Sequence, residues 1–220
     1  MKRVQAILFD NDGVLVESER PLREKIHEWL LECENYDLSV PELIEALRGK
    51  NAYQIEDILT KAGVSLPDGF SSKIFNYVKK YKPEYSKKMP DVEEMLQALD
   101  DYPKVVCSNA LAEYYPIDLE SKGLAEYFKG FFGIDNTGFA KPHPGIYLAG
   151  AKHLNIDIAN CLILEDSPGS GLAAAVASGA GTIVGLTGSG ALKEDFIDAG
   201  AHYVIDSLLE LPKLIEDINS

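Results

Sequence analysis

The chain has 220 residues, 46% of them hydrophobic and 25% charged, with a formal net charge of −14. That length buries a substantial core, as one large domain or as a domain carrying an insert. Such acidity argues against a nucleic acid or an anionic membrane surface as partner, because both select basic patches, and no apolar run approaches the roughly 20 residues of a membrane span.

Met1-Lys2-Arg3-Val4 lead almost at once into the first strand, with no secretory signal ahead of it. Cys33, Cys107 and Cys161 are scattered and odd in number, which suits a reducing cytoplasm and predicts three buried free thiols. The first strand, Val4–Phe9, is a short apolar run that ends in Asp10-Asn11-Asp12-Gly13. Two carboxylates two residues apart repel each other unless a cation or proton intervenes, so the pair points to a metal site. The alternative is a polar turn, which aspartates also form.

After Asp12 the pattern turns helical as far as Lys88. Apolar stripes recur at Leu22, Ile26, Trp29 and Leu30, at Leu43, Ile44 and Leu47, at Ile55, Ile58 and Leu59, and at Phe70, Ile74, Tyr77, Val78 and Tyr81. Gly49, Gly63 and Leu66-Pro67-Asp68-Gly69 punctuate them as turns. No strand is predicted in this stretch. Lys79, Lys80, Lys82, Lys87 and Lys88 read as a solvated face near the crevice.

From Met89 the rhythm alternates. Helices are predicted over 91–99, 111–122, 144–153, 168–178, 191–199 and 207–218, with strands over 104–107, 130–134, 161–164, 182–185 and 201–205. Alternation of this kind implies an α/β fold, a Rossmann-like parallel sheet with helices on both faces. Residues 1–15 and 89–220 would form this core, and residues 16–88 an inserted all-helical cap. The two connections to the insert, near Val16–Arg20 and Lys82–Pro90, would then lie side by side as a hinge.

Three further strand ends carry polar chemistry. Val106-Cys107-Ser108-Asn109 places a hydroxyl and an amide before a helix, either as an anion site or as a plain N-cap. Lys141-Pro142-His143-Pro144 holds a lysine in a rigid turn, as a phosphate-binding point charge or as a surface lysine. Leu164-Glu165-Asp166-Ser167-Pro168 sets adjacent acids after an apolar run, the oxygen ligands that Mg²⁺ prefers. Carboxyl ends of strands in one parallel sheet open on one crevice, so the four sites converge.

Taken in order, FDNDGVLVESE, VCSNA, KPHPGIY and LEDSPGSGLAAA resemble the haloacid dehalogenase superfamily over essentially the whole chain. Within it the chain is most similar to the phosphoglucomutase-like and sugar-phosphate phosphatase branch, with segments reminiscent of bacterial 6-phosphogluconate phosphatases. The resemblance implies that Asp10 is the nucleophile, forming an aspartyl-phosphate, and that Asp12 protonates the leaving alcohol and then deprotonates water. It implies Mg²⁺ held by Asp10, the backbone carbonyl of Asp12 and Asp166, with Glu165 in support. Ser108, Asn109 and Lys141 would bind the phosphoryl group. Lys50 and Asn51 resemble a cap loop that faces the substrate, although they also read as an ordinary interhelical turn.

Leu22 and Ala52 stand where mutases of this branch carry a histidine and an arginine, which favours transfer to water over a phosphomutase. A receiver-like signalling domain shares acidic strand ends and a lysine, but the large helical insert and Asp12 argue against it. The implied partner is a small phosphorylated metabolite met in the cytoplasm by a monomer, with oligomers left open.

Overall fold

The computed structural model describes residues 3–188 and 191–220; Met1 and Lys2 of the N-terminal lead lie outside the described residues. In chain order the strands are β1 (Ala6–Phe9), β2 (Val16–Glu17), β3 (Lys87–Lys88), β4 (Lys104–Cys107), β5 (Phe131–Phe132), β6 (Cys161–Glu165), β7 (Thr182–Leu186) and β8 (Tyr203–Ile205). The α-helices are α1 (Glu19–Leu30), α2 (Val40–Ala46), α3 (Ala52–Lys61), α4 (Phe70–Tyr85), α5 (Val92–Ala98), α6 (Tyr114–Glu120), α7 (Ile134–Thr137), α8 (Gly145–His153), α9 (Ala173–Ser178), α10 (Lys193–Asp198) and α11 (Glu210–Asn219).

Six strands form one sheet in the order β5-β4-β1-β6-β7-β8, and every pairing in it is parallel. The register sets Phe9 beside Val106 and Leu164, so β1 ends between the ends of β4 and β6. The chain runs outward on one side of β1 and then returns to the other. That reversal is the topological switch point at which ligands bind in open α/β sheets.

Side chains alternate across the strands, and the two faces accordingly bury separate cores. Ile7, Phe9, Val106, Leu162 and Leu164 pack against Val92, Met95, Leu96, Leu119, Leu211 and Ile215 on one face. Leu8, Val105, Cys107 and Ile163 pack against Ile146, Tyr147, Ala174, Ala175 and Phe196 on the other. Helices therefore cover both faces.

Helices α1–α4 bury a third cluster of their own, including Ile26, Leu30, Leu43, Leu47, Ile55, Leu59, Phe70 and Ile74. Each of these helices presents the apolar stripe that its sequence carries. Ser39 and Glu42 form a capping box on α2, and Asn51 and Gln54 form one on α3. No helix among the described residues is long and apolar enough to cross a membrane.

Four features differ from the sequence-based expectation. Residues 16–88 do contain strand: β2 and β3 pair antiparallel, Val16 with Lys88 and Glu17 with Lys87, where the chain leaves and returns. The strand predicted over 130–134 shortens to Phe131–Phe132, because Asn136 accepts the Gly133 N–H at 3.0 Å and starts a short helix. The helix predicted over 168–178 begins with a π-helical turn, Pro168–Leu172, in a glycine-rich segment where a Cβ on Gly171 would lie 2.0 Å from the Glu165 carboxyl. Cys33 is only half-buried, whereas Cys107 and Cys161 are buried as expected.

Candidate active site

β1 delivers Asp10 to the sheet edge, and the turn after it brings Asp12 back beside the strand end. Gly13 makes that turn possible, with φ +85° and with Asp166 Oδ2 only 2.0 Å from where a Cβ would sit. Only glycine combines a left-handed backbone with so close an approach. The end of β6 supplies Glu165 and Asp166, the end of β4 supplies Ser108, and the loop before α8 supplies Lys141. All of these line one chamber, together with Ser18, Leu22, Arg23, Gly49, Lys50, Asn51, Ala52, Ile55, Val78 and Lys82 from residues 16–88.

Lys141 is buried, and its Nζ lies 2.7 Å from Asp10 Oδ1 and 2.5 Å from Glu165 Oε1. Glu165 Oε1 also accepts from the Tyr147 hydroxyl, and its Oε2 accepts from the Ser167 N–H at 3.3 Å. Burial lowers the Lys141 pKa, but the Asp10 and Glu165 carboxylates outweigh it and hold the ammonium above its ordinary range.

The two aspartates of the opening motif occupy opposite environments. Burial raises the pKa of Asp10 from 3.8 to about 7; Lys141 opposes the rise, and Glu165 and Asp12 add to it. For Asp166 burial acts in the same direction, with Asp10 and Glu165 adding, and its carboxyl stands well above the usual range. Asp12 goes the other way. Burial pushes it up, but the Lys82 ammonium and the hydrogen bonds from Lys82 and Ser18 more than cancel this and hold it below its ordinary value.

Asp10, Glu165 and Asp166 form an acid cluster whose ligand atoms lie within 4.8 Å of one another. Among the described residues the Lys141 ammonium pairs with Asp10 and Glu165, Asp166 lies beside them, and the donors are all hard oxygens. That donor set fits a small divalent cation such as Mg²⁺ and does not suit a soft metal. The Asp12 carboxylate is not part of the cluster, because Lys82 and Ser18 hold its Oδ1.

Asn109 lines the chamber and is tied to backbone groups on both sides of it. Its Oδ1 accepts the Lys141 N–H at 2.6 Å, and its Nδ2 donates to the Gly49 carbonyl at 3.2 Å and the Lys141 carbonyl at 3.4 Å. It ties the lysine turn to the loop before α3. Asn51 accepts the Gln54 N–H at 3.0 Å as the N-cap of α3, and Gln54 in turn reaches the Lys141 carbonyl at 3.4 Å. Lys50 lines the chamber and gives its carbonyl to Arg23 Nη2 at 3.4 Å.

Two residues escape the sequence reading. Lys82 lies in the lysine run expected to face solvent, yet it is buried beside Asp12 while Lys79, Lys80, Lys87 and Lys88 are exposed. Its helical spacing from Ile74 and Val78 was the available signal, since all three share one face of α4. Arg23, also buried, donates through Nη2 to the Leu47 carbonyl at 3.0 Å and pairs with Glu19 at 3.3 Å. It braces the loop that carries Gly49 and Lys50, and it falls beside Leu22 and Ile26 on the inward side of α1.

A 6-phosphogluconate phosphatase of Escherichia coli K12 is 26% identical over 171 residues, 76% of each chain. A phosphorylated carbohydrates phosphatase of Thermotoga maritima is 26% identical over 215 residues, covering 90% of this chain and 92% of its own. The crystal structure of a haloacid dehalogenase-like protein of unknown function from Agrobacterium tumefaciens superposes with a TM-score of 0.82 at 26% identity, covering 99% of this chain and all of the other. Residues 4–179 match the haloacid dehalogenase-like hydrolases, and the chain belongs to that family.

Proposed function

We propose that the protein is a Mg²⁺-dependent phosphatase of small phosphorylated metabolites, sugar phosphates above all, working through an aspartyl-phosphate on Asp10. The observation that carries this reading is the contrast between Asp10 and Asp12. One carboxylate sits in a buried acid cluster against Lys141; the other is held apart by Lys82 and Ser18. Carboxyls held by different partners take separate roles; a cation bound beside Asp10 and Asp166 would keep the Asp10 carboxyl ionised as the nucleophile, and Asp12, outside the cluster, would be the proton carrier. The names of the E. coli and Thermotoga relatives favour a phosphorylated carbohydrate as substrate, with 6-phosphogluconate a first compound to assay.

In the first half-reaction an Asp10 oxygen bonds to phosphorus as the ester P–O bond breaks, and Asp12 gives a proton to the departing alcohol. In the second, water bonds to phosphorus, the acyl-phosphate P–O bond breaks, and Asp12 takes the water proton. Ser108 and Lys141 hold phosphoryl oxygens as charge spreads over them. Asp10, Asp166 and the Asp12 carbonyl would hold the cation, and Glu165 would brace Lys141. The bound cation would offset the repulsion between an anionic nucleophile and an anionic ester.

Residues 16–88 act as a cap in this reading, the β2–β3 ladder as its hinge, and the loop through Gly49, Lys50 and Asn51 as the part that meets the sugar. Leu22 and Ala52 put apolar side chains into the chamber. With apolar side chains at these two positions, where mutases of this branch carry a histidine and an arginine, water, not a sugar hydroxyl, is the acceptor. Free thiols favour the cytoplasm as the compartment.

A panel of phosphorylated metabolites assayed with Mg²⁺ and with chelator tests the proposal, alongside Asp10→Asn. Metal-dependent phosphate release that vanishes in the variant is the expected result. Full activity in Asp10→Asn, or no metal-dependent release from any member of the panel, overturns it.

A further inference from the structure

Arg23 of α1 is 2% exposed, and its hydrogen bonds run through one nitrogen. Nη2 donates to the Leu47 carbonyl at 3.0 Å and the Lys50 carbonyl at 3.4 Å, and it pairs with Glu19 Oε1 at 3.3 Å. Nη1 and Nε are buried as well, but they meet no acceptor among the described residues. Bracing the loop therefore accounts for only part of the guanidinium. The group does not give up its proton, so burial cannot neutralise it. Its carboxylate partner is shared, because Glu19 Oε1 also accepts the Gly49 N–H at 3.0 Å.

Tyr85, at the end of α4, has the same property. Its ring stacks on Tyr77 at 5.8 Å, and its hydroxyl is buried without a partner. Burial and the Asp12 charge raise the pKa of that hydroxyl and the Arg23 charge lowers it, which puts the phenol within the field of both. Arg23 and Tyr85 line the chamber that holds Asp10, Ser108 and Lys141. Buried donors without acceptors are costly unless a ligand brings the acceptor. A water molecule would satisfy the donors and leave the charge; a carboxylate would answer both.

We propose that Arg23 and Tyr85 form a subsite for a carboxylate that the substrate carries away from its phosphoryl group, so that the enzyme acts on phosphorylated hydroxy acids or sugar acids. The inference rests on the phosphatase reading above and narrows its substrate class. A carboxylate suits the subsite better than a second phosphate, because a single guanidinium already partly compensated by Glu19 matches one negative charge and not two. A neutral alcohol in its place leaves that charge without a counterpart, which is the basis for discrimination.

Matched acids and alcohols test this: 6-phosphogluconate against glucitol 6-phosphate, and 3-phosphoglycerate against glycerol 3-phosphate. Each pair differs only in a carboxylate for a hydroxymethyl group. In at least one pair the unmodified enzyme should favour the acid about 10²-fold in kcat/KM. Arg23→Lys and Tyr85→Phe should each cut that preference about 10-fold, the usual cost of a lost hydrogen bond to a charged group, and should do so through KM more than kcat. Tyr85→Phe removes a hydroxyl that no other residue uses, so a merely structural role would not move the ratio, and it decides alone if Arg23→Lys does not fold. Phosphate release with no acid preference in either pair, or an equal loss on acid and alcohol, overturns the subsite and leaves the phosphatase reading standing. Fructose 1,6-bisphosphate favoured over fructose 6-phosphate more strongly than acid over alcohol, with the same loss in both variants, overturns the carboxylate in favour of a phosphate. Absence of Mg²⁺-dependent release from every compound overturns the phosphatase reading and the inference with it.

Discussion

Gly13 shows how narrowly the site is built at the level of single residues. Its backbone is left-handed, and the space where a Cβ would project is filled by the Asp166 carboxylate. Gly13→Ala should cost about 1–3 kcal/mol for the strained backbone and should also displace Asp166. Turnover should therefore fall far more than a melting curve registers; a variant of normal activity would show that Asp166 need not stay where it is. Lys141 tests the opposite property. It is the ammonium that Asp10 and Glu165 share, so Lys141→Met leaves buried carboxylates uncompensated. The expected loss is about 3–5 kcal/mol of stability, read by chemical denaturation, together with loss of turnover that added cations do not rescue.

Among the elements, α3 joins local stability to the wall of the chamber. Asn51 caps it, Gln54 completes the box and reaches the Lys141 turn, and the preceding loop sits against Asn109. Asn51→Ala should cost about 1 kcal/mol, a fall in Tm of about 2–4 °C for a chain of this size, and should raise KM for sugar phosphates more than for p-nitrophenyl phosphate. A KM that rises equally for both would place the loop outside substrate recognition. Strand ends were legible in the sequence because buried parallel strands are apolar runs, and polar residues stand out where they stop: Asp10, Ser108 and Asp166 declare themselves this way. Lys82 and Arg23 do not. A charged residue within an amphipathic helix looks the same whether its stem lies along the surface or enters a neighbouring carboxylate's reach, and only tertiary packing decides which. The β2–β3 ladder is two residues long on each side, too short for a period of two to register. Asn109 reads equally as a helix cap or an anion ligand until the loop holding Gly49 is folded against it.

At the scale of the whole molecule, the acid cluster sets function against stability. Asp10, Glu165 and Asp166 are buried together, and repulsion among them must be relieved by protons or by a cation. The pKa of Asp10 stands at about 7 in the folded chain, above its ordinary 3.8, so the folded state binds that proton more tightly than the unfolded state does. The stabilisation linked to it is complete below the ordinary carboxylate range and is lost as pH rises through about 7. In chelator the protein should consequently melt at lower temperature at pH 8 than at pH 5. Asp10→Asn, which lacks the titrating group, should show a smaller slope and should exceed the unmodified chain in Tm at pH 8 while losing turnover. Mg²⁺ bound at the cluster would replace the proton as the neutralising partner. At 100 times its Kd it should add about 2.7 kcal/mol and flatten the pH dependence of the unmodified chain more than that of Asp10→Asn. Thermal melts of both proteins at the two pH values, with and without the cation, separate this account from general effects of pH. If the two respond alike, the cluster is not where the cation binds.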